Sequence, residues 1–153
     1  MRRLVVKKKV ILPIITSVLV LAIIVVGFVF VSMQEICGEW KFQYIIDDKG
    51  NIIACCEEEL DTYKDAKKSN MTLSVGKGTI TMKDDSNEWK GSYRFNKSNL
   101  AGSIYEIEMI EDGTIYDALA VVGSKLVSDA KGEDVLNISI VYNKKTYGLC
   151  FEK

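Results

Sequence analysis

Histidine is absent from all 153 residues. That removes the side chain that titrates near neutrality, and with it imidazole bases, Ser-His-Asp and Cys-His nucleophile systems and Cys/His zinc sites. Catalysis would have to rest on carboxylates, lysine, tyrosine or a lone cysteine, so the chain is expected not to be an enzyme and to need no cofactor. Proline occurs once, as Pro13, so no later strand is interrupted by a residue without an amide donor. The cysteines form no C-x-x-C pair, which argues against a bound metal. Basic runs are missing after residue 9, and the segment from Gln34 onward has a net charge of about −6. A nucleic-acid partner is therefore not expected.

Charge is also missing from Val10 to Met33, an apolar stretch preceded by Arg2, Arg3, Lys7, Lys8 and Lys9. A helix of this length rises about 36 Å, enough to cross a hydrocarbon core of about 30 Å. A basic flank on one side keeps that side in the cytoplasm. The expected organisation is a cytoplasmic basic tail over 1–9, a transmembrane helix over 10–33, a short linker over 34–37 and an external domain over 38–153. The membrane is thus the first expected partner, through a single-pass anchor. A cleaved secretory signal would have a shorter apolar region and small residues at a cleavage site. Val31-Ser32-Met33-Gln34-Glu35-Ile36 offers no such site.

In the external domain the dominant period is two, the period of a half-buried strand. Trp40, Phe42, Tyr44 and Ile46 alternate with Lys41, Gln43 and Ile45. Met71 to Val75 and Thr79 to Lys83 alternate on either side of Gly76-Lys77-Gly78. Trp89, Gly91, Tyr93 and Phe95 form the next stripe, followed by Tyr105, Ile107 and Met109. Asp112-Gly113 is a hairpin signal leading into Ile115 to Val122. Leu136 to Tyr142, the turn Asn143-Lys144-Lys145 and the stripe Tyr147, Leu149, Phe151 complete eight strands. Short connections favour an antiparallel up-and-down meander. Closure into a barrel removes both free edges, with a two-sheet sandwich as the alternative. The polar segment Ala54 to Lys68 carries Cys56, Leu60 and Tyr63 at helical spacing and predicts a short helix between the first and second strands.

Gly38-Glu39-Trp40 resembles the first-strand motif of the lipocalins, in which the tryptophan plugs one end of the barrel. Met71-Thr72-Leu73, Gly78-Thr79-Ile80-Thr81-Met82 and Glu88-Trp89-Lys90-Gly91-Ser92-Tyr93 are similar to strands of small extracytoplasmic lipocalin-like (calycin) domains of bacteria. The resemblance implies a mainly β, eight-stranded barrel and the carriage of a small apolar ligand inside it. Two features depart from the large lipocalins. No helix follows the last strand, and the arginine that packs across the tryptophan near the final strand is missing, since Arg94 is the only external arginine.

In such a barrel the first and last strands are antiparallel neighbours, so the start of one meets the end of the other. Counting in twos from Trp40 and Phe151 puts Cys37 and Cys150 on the outer face, and a Cys37–Cys150 disulfide is expected. Trp40, Phe42, Tyr44, Trp89, Tyr93 and Phe95 are the candidate interior residues, lining a ligand cavity or filling the barrel. Glu57-Glu58-Glu59 and Asp84-Asp85 lack the spacing of a calcium loop. Glu106 and Glu108 share a polar strand face and read as a solvated surface. The expected function is a membrane-anchored, non-catalytic binding or interaction module outside the cell membrane. The alternatives are a carrier of a small apolar ligand and an inhibitor presenting rim loops to an envelope-degrading enzyme.

Overall fold

Each alternating segment forms a strand in the computed structural model, which describes residues 35–100, 102–124 and 134–153. The expected basic tail and membrane helix, residues 1–33, fall outside the described residues. Among those described, no helix is long and apolar enough to cross a membrane. The strands are β1 (Gly38–Ile46), β2 (Ile52–Cys55), β3 (Lys67–Lys68), β4 (Thr72–Val75), β5 (Thr79–Lys83) and β6 (Glu88–Asn99). They continue with β7 (Gly102–Glu111), β8 (Thr114–Ser124), β9 (Asp134–Tyr142) and β10 (Lys145–Glu152). From β4 to β10 each strand is antiparallel to the next, β4 pairs with β1, and β10 closes back on β1. The wall is therefore an eight-stranded antiparallel barrel of β1 and β4–β10, an architecture compatible with the lipocalin-like resemblance.

Period-two alternation puts one apolar face of every wall strand inside. Trp40, Leu73, Ile80, Tyr105, Leu136 and Phe151 belong to a single buried cluster fed by β1, β4, β5, β7, β9 and β10. Two tight hairpins have left-handed backbone at both central residues, Asp112-Gly113 (φ 46° and 80°) and Asn143-Lys144 (φ 50° and 65°). These turns match the right-handed twist of the strands they join. Gly91 is required for a different reason. A Cβ there would stand 2.0 Å from the Glu108 carbonyl oxygen, so only glycine lets β6 and β7 approach at that point.

The predicted helix over Ala54–Lys68 does not form. Ile52–Cys55 is an apolar run that adds to the upper half of β1, with Tyr44 opposite Cys55 and Ile45 opposite Ala54. Cys56 stays extended (φ −66°, ψ 166°), and its amide donates to the Gln43 carbonyl at 2.8 Å. That cross-strand bond would be lost in a helix. Only a 3-10 turn at Glu57–Glu59 remains before the chain returns as β3, parallel to β2. Helix propensity is a weak bias that tertiary pairing overrides.

The pairings define two ends. The start of β1, the Gly76-Lys77-Gly78 turn, the β6–β7 hairpin and the C-terminus lie at one end, the base. The turns Asp47–Asn51, Asp84–Asn87, Asp112-Gly113 and Asn143-Lys144 lie at the other, the distal rim.

Candidate functional site

The tryptophan of the Gly-x-Trp motif is buried at the base, where its indole N–H donates to the Ile36 carbonyl at 2.8 Å. Ile36 is itself fully buried in the core cluster, so packing begins before β1, within the stretch expected to be linker. Lys153 lies over the Trp40 ring, where the lipocalin resemblance leads to the expectation of an arginine. Its ammonium stands 4.4 Å from the Trp40 ring centre and donates to the carbonyls of Glu35 (3.1 Å) and Cys37 (2.8 Å). A cation over an indole face gains from the ring quadrupole, and either basic residue can supply it. Nothing in the sequence marks Lys153 for this position, because the resemblance leads to the expectation of an arginine and a C-terminal lysine carries no pattern.

Further bonds tie the base together. The Tyr93 hydroxyl donates to the Gly76 carbonyl at 2.8 Å and lies 3.3 Å from the Cys37 sulfur. The Ser103 hydroxyl donates to the Glu35 carboxylate at 2.6 Å. Burial, then the hydrogen bond with Cys37, pushes the Tyr93 phenol up to about 12. Burial, then the Glu35 charge, does the same to Tyr105, also about 12.

Of the six candidate interior residues, Trp40, Phe42, Trp89, Tyr93 and Phe95 pack in or against the core. Their rings meet edge to face. Phe42 lies 5.8 Å from Phe151, and Tyr93 and Phe95 each lie 5.8 Å from Tyr105. Tyr105 is the member of this set that sequence reasoning left out, although its stripe was visible. Tyr44 does not line the interior. The register between β1 and β10 slips between Phe42, opposite Phe151, and Tyr44, opposite Cys150. This bulge puts one extra residue in β1, turning Tyr44 outward and leaving Ile45 to pack against the core. On the outer wall Tyr44 stacks edge to face on Tyr63 at 6.0 Å, flanked by the buried Cys55 and Cys150. Burial, then hydrogen bonding with Cys150, raises its phenol to about 12.

The expected Cys37–Cys150 disulfide is also corrected, since no two cysteines stand at disulfide bond distance. Cys150 is opposite Tyr44, seven residues up β1 from Cys37, or roughly 23 Å along a strand. The two strands do meet at their base, but Lys153 rather than Cys150 reaches Cys37. Closing a barrel staggers its strands, and alternation reveals the face of a residue without revealing its height. Burial raises the thiols of Cys55 and Cys56 above their ordinary range.

The distal rim is built differently. Asp47 accepts the amides of Lys49 (2.9 Å) and Asn51 (2.8 Å), and Asp84 accepts those of Ser86 and Asn87 (both 2.7 Å). The bonds from Asn51 hold the Asp47 carboxyl below its usual range. On the outer wall, Glu88 lies between Lys83 (2.7 Å) and Lys90 (3.1 Å), and Arg94 pairs with Glu106. A shallow depression of about 600 Å³ runs over Arg94, Glu106, Glu108, Asp117 and the exposed Leu119 and Val141. A second, wide open, follows β2 and the Thr62–Lys67 loop. Among the described residues no cluster of carboxylates and thiols could hold a metal ion. No family model, curated protein or solved structure matches the chain.

Proposed function

We propose that the chain is a lipocalin-like barrel held outside the cell membrane by residues 10–33, acting as a non-catalytic binding module. The observation that carries this reading is the filled interior. Tyr105, Phe151, Leu73 and Met109 are fully buried, and the aromatic rings meet in the space a carried ligand would need. Both depressions described above lie outside the wall, which supports recognition from the surface. Glu88 and Glu106 on the outer wall stand beside lysine or arginine, a pattern of solubility rather than of paired acid and base. Asp47, Asp48, Asp84, Asp85 and Asp112 outnumber Lys49 and Lys144 on the distal turns, so a partner in the cell envelope with a basic surface would complement that end.

The test is native mass spectrometry of the full chain released from detergent micelles. The expected result is the mass of the polypeptide alone. A stoichiometric apolar ligand that survives release would overturn this reading in favour of a carrier.

A further inference from the structure

We propose that the base of the barrel is a lipid-contacting face, with Leu100 entering the headgroup layer of the bilayer and Lys77 and Lys97 meeting lipid phosphates. The inference rests on the anchor reading of residues 10–33 and adds an orientation to it.

The first argument is chain length. The described fold begins at Glu35, which the Ser103 hydroxyl holds at the base. Only Gln34 separates it from Met33, the last residue of the apolar stretch. One residue spans at most about 3.6 Å, so an anchor ending at Met33 brings the base to the membrane surface with almost no slack.

The second argument is shape. β6 runs on for seven residues after Ser92, its last partner on β5. That is roughly 20 Å of strand, and the β6–β7 hairpin projects past the neighbouring Gly76-Lys77-Gly78 turn. At its tip stands Leu100, fully exposed. A single exposed leucine is ordinary on a protein surface. This one crowns the projection nearest the point where the apolar stretch enters.

Charge gives the third argument. In the Gly76–Gly78 turn and in residues 96–100 the only charges are Lys77 and Lys97, both exposed, while the exposed Glu35, Glu39 and Asp134 stand at the same end. The distal turns carry Asp47, Asp48, Asp84, Asp85 and Asp112 against Lys49 and Lys144. An anionic bilayer surface attracts the two projecting turns that carry Lys77 and Lys97 and repels the more acidic distal end. One leucine and two lysines bind a bilayer weakly, but an anchor in the same chain keeps their local concentration high.

The experiment uses the full chain reconstituted into vesicles of phosphatidylcholine and phosphatidylglycerol containing brominated acyl chains. Leu100→Trp and Ser86→Trp place a reporter at the base and at the distal rim, with wild-type emission from Trp40 and Trp89 as background. Integration is read separately as resistance to alkaline carbonate extraction. The added emission of Leu100→Trp is expected to fall at least about twofold, as for a ring within 5–10 Å of the acyl boundary, while that of Ser86→Trp is unchanged. If the chain integrates and both reporters behave alike, lipid contact by the base is overturned and the anchor stands. If the chain is extracted by carbonate, anchor and contact fall together.

Discussion

The two ends of the barrel are held together by different kinds of bond. At the base the partners are far apart in the chain. Glu35 meets Ser103, 68 residues away, Tyr93 meets Gly76, and Lys153 meets Cys37 from 116 residues away. At the distal rim the turns are closed by neighbours, Asp47 bonded to Asn51 and Asp84 to Asn87, with longer ties only from Asn70 to Asp85 and between Tyr142 and Glu111 among the bonds described. Long-range bonds close the topology, so a change at the base disturbs several segments at once. The rim turns draw most of their bonds from within, which leaves most of their exposed side chains open to selection for recognition.

Replacing Trp40 by alanine puts this difference to its hardest test. The loss should be about 3–5 kcal/mol in urea unfolding followed by circular dichroism, as for other large buried rings. Alkaline pH should come next. Burial favours the neutral phenols of Tyr44, Tyr93 and Tyr105, so the fold keeps those protons to about 12 while the unfolded chain releases them near 10. Their contribution is whole below pH 10 and is lost as pH climbs to 12. Unfolding midpoints should therefore drop across that window, with three phenols ionising late in the ultraviolet difference spectrum. Lys153→Met removes the cation over Trp40 and two carbonyl bonds, and should cost about 1–2 kcal/mol in the same urea assay. Asp85→Ala at the rim should change stability by less than about 0.5 kcal/mol. A cost there comparable to that of Lys153→Met would erase the distinction between the ends. Reductant should change the melting temperature least of all, because Cys37 and Cys150 are not joined by a disulfide.

Alternation alone revealed the eight wall strands, because each buries one face against a common core. The burial of Trp40 was legible from its place in the apolar stripe of the first strand. What escaped depends on information that a period of two does not carry. The bulge beside Gln43 adds a single residue and turns Tyr44 outward. Barrel stagger moves Cys150 away from Cys37 while leaving its face correct. The Ala54–Lys68 segment is rich in helix formers, yet Ile52–Cys55 found an open stretch of β1 and Cys56 bonded to Gln43. Ile36 looked like tether, since an isolated isoleucine outside a strand has no pattern to betray its burial.

β1 has neighbours on both flanks, β10 on one and β4 followed by β2 on the other. This governs how the domain bears mechanical load. Tension applied between residue 35 and the far rim pulls β1 along its own axis, so its rungs resist together. Tension between residues 35 and 153, which leave from the same end, would open β1 from β10 one rung at a time. A partner gripping the far rim would thus load the domain in its strong direction, and the same chain tugged by its two extremities would unzip.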